Sequence, residues 1–199
     1  MSTAKQLWAP SQQRIDDSNM QSLMNFIEKD GHKMDHYQDL YDFSVRLPHL
    51  FWKYVWDFGS FVQDEPQKSV LTNPKKMPGA KWFDGAKMNF AQNLLKFRHD
   101  EIAICAYDER GKQQEISYRQ LYADVAKMSA WLKQQGIQPG DRIAAFMPNV
   151  PETITTMLAA VSIGAVWSSC SPDFGLQGVL DRFGQIEAKL ILTTDGYFY

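Results

Sequence analysis

The chain has 199 residues, and its 21 basic side chains nearly balance 23 acidic ones for a net charge of −2, so no basic surplus exists to track a phosphate backbone and no nucleic-acid partner is expected. The longest apolar helical run, MLAAVSIGAV at 157–166, falls short of the roughly 18 to 20 residues a membrane span needs, and the opening MSTAKQLWAP has no hydrophobic signal core. A cytoplasmic protein with no membrane partner is expected.

Two cysteines, Cys105 and Cys170, stand far apart without a Cys-x-x-Cys pair, which speaks against a disulfide framework or a zinc site. His32 and His36 are four residues apart, but Gly31 and the lack of an intervening Glu argue for plain surface residues, so no metal site is expected.

In chain order, Ser18 and Gln21 form a capping-box pattern ahead of Met20, Leu23, Met24 and Ile27, a helix closed by Gly31. Tyr37, Leu40 and Tyr41 recur at helical spacing. After Pro48, a favourable first-turn residue, Phe51, Tyr54, Val55 and Phe58 do the same up to Gly59. Such an aromatic stripe predicts a docking face against a larger body. Residues 64–80, rich in Pro, Lys and turn formers, read as an irregular connection, and KWFDGAKMNFAQNLL runs on into a helix capped by Asn89.

Near Asp100 the pattern changes. Residues 1–100 read as a mostly helical, aromatic-rich region and 101–199 as the beginning of an α/β domain. IAICAYDERGKQQEIS predicts a hairpin through Arg110-Gly111. Ser117 and Gln120 supply a capping box for a helix over 118–135, whose Leu121, Val125, Met128 and Leu132 share a face. RIAAFM, AVWSS and KLILTT read as strands. Asn149 and Glu152 open a helix over 150–163, and Leu176, Val179, Leu180, Phe183 and Ile186 mark another over 175–187. The alternation predicts a partial parallel sheet with flanking helices.

The stretch SCSPDFG then falls where a strand ends and a helix begins, the place at which open parallel sheets hold ligands. PNVPE at 148 and TTDGY at 193 occupy equivalent places and compete with it. Walker-type and dinucleotide glycine motifs and a nucleophile elbow are absent, so no catalytic residue is assigned.

Along nearly its whole length the chain resembles the acyl-CoA synthetases of the adenylate-forming superfamily. YQDLYDFSVRLPHLFWKYVWDF is similar to the region preceding their adenylating domain. The run from ISYRQLYADVAKMSAWL through GDRIAAFMPNVPE to GAVWSS is similar to that domain's opening. WSSCSPDFG followed by GVLDRFGQIEAK resembles the acetoacetyl branch, with Pro172 and Asp173 where acetyl-type members carry two glycines.

The resemblance implies a ligase that joins acetoacetate to CoA through an acyl-adenylate, using ATP and Mg²⁺, with small-molecule substrates as its partners. It also implies that Ser171, Pro172, Asp173 and Phe174 border the CoA site. Family members are far longer, so the chain resembles an N-terminal fragment, expected to be inactive alone and to hold no cofactor itself. A synthetase for another short acid (acetate, propionate or a hydroxy acid) and a non-catalytic binding domain both stay open.

Overall fold

A computed structural model describes residues 7–198, and the chain divides between Lys87 and Met88 into two compact units. The first unit contains α1 (Gln12–Asp16), α2 (Asn19–Glu28), α3 (Tyr37–Arg46) and α4 (Pro48–Gly59), followed by β1 (Ser69–Thr72) and β2 (Lys81–Asp84). Its core gathers Met24 and Ile27 of α2, Leu40 and Phe43 of α3 and Tyr54 of α4, inward positions of helices whose apolar residues recur every three or four places, together with Met34 from the connection between α2 and α3. The Tyr54 hydroxyl donates to Asp30 across 2.8 Å, and burial together with that carboxylate pushes its pKa up to about 12.

Two expectations for this unit need correction. Residues 64–80 are not wholly irregular: β1 pairs antiparallel with β2, placing Leu71 opposite Trp82. A second face of α4, outside the expected stripe, meets this hairpin, with Trp56 stacked on Phe83 at 4.4 Å and Trp52 edge-on to Trp82 at 6.2 Å. His32 is also not a plain surface residue, because its ring lies half-buried 4.9 Å from that of Phe43.

The second unit holds α5 (Phe90–Leu94), β3 (Ile102–Asp108), β4 (Gly111–Ser117), α6 (Tyr118–Gln134), β5 (Arg142–Phe146), α7 (Pro151–Ser162), β6 (Val166–Cys170), α8 (Leu176–Ile186) and β7 (Leu190–Thr193). Strands β3 and β4 form an antiparallel hairpin, while β6, β5 and β7 form a separate parallel sheet in that order. The α/β class and the partial parallel sheet expected from the sequence are present.

Period-two alternation on central β5 sends Ile143 into the cluster built from Leu121, Val125 and Leu132 of α6 and Leu158 of α7. Its neighbour Ala144 faces Phe183 of α8 and Cys170. Helices therefore cover both faces of the sheet. Leu176 and Leu180, expected on the buried stripe of α8, are exposed at 77% and 56%.

Helix starts follow the sequence in part. Ser18, Asn89 and Ser117 each accept a backbone N–H three residues on. The reciprocal halves of the expected capping boxes are replaced, because the Gln21 and Gln120 amides turn forward to Asn25 and Asp124. α7 opens on Val150 and Pro151, not through Asn149 and Glu152.

Candidate functional site

The parallel sheet has two unlike ends. At the end where its strands begin, the backbone is stitched together: Val166 N–H donates to the Asp141 carbonyl, Lys189 N–H to that of Arg142, and Gly140 N–H to that of Gly164, each at 2.8 Å. The Asp141 carboxylate accepts from Lys189 Nζ at 2.7 Å and from the Gln138 N–H at 2.8 Å, and these two bonds hold its pKa below the usual carboxylate range. Arg142 lies 3.5 Å from Glu187. The Gly-Asp-Arg run at 140–142 is thus a structural clamp.

Where the strands finish, the chain opens into a groove of about 650 Å³. After β5, Pro148, Asn149 and Val150 form one wall, with Thr153 Oγ1 donating to the Pro148 carbonyl at 2.8 Å. Ser171, Pro172 and Asp173 come from the loop after β6, and Gly196, Tyr197 and Phe198 follow β7. The fourth wall, unforeseen in the sequence, is the β3–β4 turn with Tyr107, Asp108, Glu109 and Arg110. The three loops that competed as candidates in the sequence therefore line one groove.

Within it, the Ser171 hydroxyl donates to Asp173 Oδ2 at 2.6 Å and also accepts from the Asp173 N–H at 3.4 Å, folding the loop on itself. Phe174 closes this turn by donating its N–H to the Ser171 carbonyl at 3.2 Å, and its ring carries the Arg182 guanidinium at 4.0 Å. Phe174 does not line the groove. Asp173 does not cap α8, whose N-cap is Gly175 without a side-chain bond.

Arg110 donates through Nε to Asp108 Oδ2 at 3.1 Å and through Nη2 at 2.5 Å, and its guanidinium lies 3.5 Å from the centre of the Phe198 ring. The hydrogen bonds from Arg110 hold the Asp108 carboxyl below its ordinary pKa. Among the described residues that line the groove there is no histidine and no cysteine. Among the described residues, no group of three His, Cys, Asp or Glu side chains could hold a metal ion, and no helix is long and apolar enough to cross a membrane.

A second groove, of about 720 Å³, lies in the first unit between α1, α2 and the start of α3, near Ile15, Met24 and Tyr37. The groove at the strand ends is preferred as the site because convergent loops beyond parallel strands supply backbone and side-chain polar groups from several elements at once.

Residues 90–197 match the model of the AMP-binding enzyme family, and residues 37–94 match that of the acetyl-coenzyme A synthetase N-terminus. The chain is 40% identical over its full length to an acetoacetyl-coenzyme A synthetase of Rhizobium meliloti (strain 1021), of which it covers 31%. It is 39% identical over 98% of its length to an acetoacetyl-CoA synthetase of Xenopus tropicalis, of which it covers 30%. The solved structure of the acetoacetyl-CoA synthetase from Streptomyces lividans superposes on 98% of the chain with a TM-score of 0.88 at 34% identity, the chain covering 31% of it. The chain thus spans a little under a third of the length of these relatives. With a family model covering more than half of its residues and similarity of this extent on either side, the chain belongs to the AMP-binding enzyme family.

Proposed function

We propose that these residues form the front portion of a ligase that converts acetoacetate, ATP and CoA into acetoacetyl-CoA, AMP and pyrophosphate, and that the groove at the strand ends borders the CoA site. The observation that carries the reading is similarity to acetoacetyl-CoA synthetases over essentially the whole chain, in sequence and in fold. The groove supports the second half, because Ser171, Pro172 and Asp173 line it.

The reaction runs in two displacements. The acetoacetate carboxylate attacks the α-phosphorus of ATP and expels pyrophosphate; the CoA thiol then loses its proton and attacks the activated carbonyl, expelling AMP. Mg²⁺ bound with the ATP phosphates spreads their charge. The described residues contribute positioning: the sheet holds three loops rigid at their roots and lets their tips meet the ligand. Pro172 has no N–H, so this loop recognises ligand through the Asp173 carboxylate, carbonyl oxygens and ring surfaces more than through backbone donors. A small-molecule reaction of this kind is compatible with a cytoplasmic setting.

The test joins this chain in frame to the remaining portion of the Streptomyces lividans enzyme and assays the fusion and the 199-residue chain side by side. The fusion is expected to form acetoacetyl-CoA, and the chain alone is expected to show no acetoacetate-dependent ATP–pyrophosphate exchange. Exchange by the chain alone, or a folded fusion that forms no thioester, would overturn the proposal.

A further inference from the structure

The groove carries three carboxylates, Asp108, Glu109 and Asp173, and Arg110 is the one basic residue among its described lining residues. Such a lining repels a phosphate unless that one cation is aimed at it. Resting on the reading that this groove borders CoA, we propose that Arg110 is a specificity-determining contact for the phosphate oxygens of CoA.

Its geometry is that of a guanidinium set in advance. Asp108 accepts from Nε and Nη2, and the Arg110 N–H itself donates to Asp108 Oδ1 at 2.8 Å, so the turn and the side chain are tied together. The Phe198 ring supports the flat face at 3.5 Å. Nη1 has no partner among the described residues, which leaves two N–H donors on the outer edge of the fork. A fork fixed by a carboxylate on one edge and an aromatic ring on its face loses little side-chain entropy when a phosphate docks on the free edge.

The loop after β6 does not replace this contact. The Ser171 hydroxyl is already engaged with Asp173, and Pro172 has no N–H. CoA offers two phosphate sources, its 3′-phosphomonoester and its diphosphate, and dephospho-CoA keeps only the second.

The experiment uses the fusion with the Streptomyces lividans remainder. It compares Arg110→Gln, Arg110→Lys and Asp173→Ala, taking the ratio of CoA-dependent thioester formation to ATP–pyrophosphate exchange with CoA and with dephospho-CoA. Arg110→Gln is expected to raise the KM for CoA by about 10-fold or more, since a charge-assisted bond to phosphate is lost. Arg110→Lys, which keeps the charge without the fork, is expected to recover part of it. An effect confined to CoA assigns the 3′-phosphate, whereas an equal effect with both thiols assigns the diphosphate. If Asp173→Ala alters the KM for CoA while Arg110→Gln does not, the inference falls and the reading of the groove stands. If neither substitution alters it, both fall.

Discussion

The two ends of the β6–β5–β7 sheet are made from the same three strands and behave oppositely. At the starting end, polar groups are spent on one another: the Asp141 carboxylate serves Lys189 and the Gln138 N–H, and strand backbones close the ladder. At the finishing end, the loops after β5 and β6 fold back on themselves through Thr153 with Pro148 and Ser171 with Asp173, and their remaining edges face a groove. The lesson is that a polar cluster is read by where its bonds go. Both ends carry Asp, Arg and Pro, and only the finishing end leaves polar edges facing a groove.

Substitutions that act at one end and spare the other test this contrast, and a core change sets the scale for them. Ile143→Ala removes a fully buried side chain from the central strand and is expected to cost about 2 to 5 kcal/mol in a chemical-denaturation midpoint analysis of the 199-residue chain. A loss under about 1 kcal/mol would show that β5 is not the centre of the core.

Next in size is Gly164→Ala at the clamped end. Gly164 has φ +77, and a methyl group there would come within 3.2 Å of Pro139 Cβ, so a destabilisation of about 1 to 2 kcal/mol is expected by the same measurement. A neutral outcome would mean that the clamped end is looser than drawn.

Asp141→Asn probes the same end through pH. Because the folded protein depresses this pKa, the stabilisation is fully present above the unfolded-state value, near 3.9 by ordinary carboxylate behaviour, and is lost as pH falls below about 4. The variant is expected to be less stable than wild type at neutral pH, with a shallower acid-side decline. Parallel acid profiles for the two proteins would assign the slope to other carboxylates.

The smallest stability effect is expected at the open end. Asp173→Ala should change stability by no more than about 0.5 kcal/mol, because Gly175 occupies the N-cap of α8 and Asp173 is exposed. A loss of 1 kcal/mol or more would make this aspartate a structural residue and erase the contrast between the ends.

How far the sequence revealed all this depends on how locally each feature is encoded. Helices α6, α7 and α8 and the strands between them were legible to within about a residue, because their apolar periods are regular and Ser117 marks the start of α6, although the start of α7 was assigned to Asn149 and Glu152 instead of Val150 and Pro151. The β1–β2 hairpin was hidden, since strands of four residues carry too few alternations to register and the intervening Lys and Pro look like loop.

The candidate site divides along the same line. The loop at 171–174 was singled out as a candidate because strand, polar corner and helix follow one another in sequence and resemble a known family, and three of its four residues line the groove. Arg110 was missed because its turn belongs to a hairpin outside the parallel sheet, and only tertiary packing carries it to the groove. Leu176 and Leu180 obey the helical period of α8 yet stay exposed, so periodicity named the stripe without saying how much of it is covered.

The packing of Trp52 on Trp82 and of Trp56 on Phe83 has an optical consequence. Four of the six tryptophans, Trp8, Trp52, Trp56 and Trp82, precede Lys87, so intrinsic emission from the intact chain is weighted toward the first unit, and two of its fluorophores sit on a single hairpin. Emission followed during unfolding would therefore register the opening of β1–β2 from α4 far more strongly than the loosening of the parallel sheet, whose unit carries only Trp131 and Trp167.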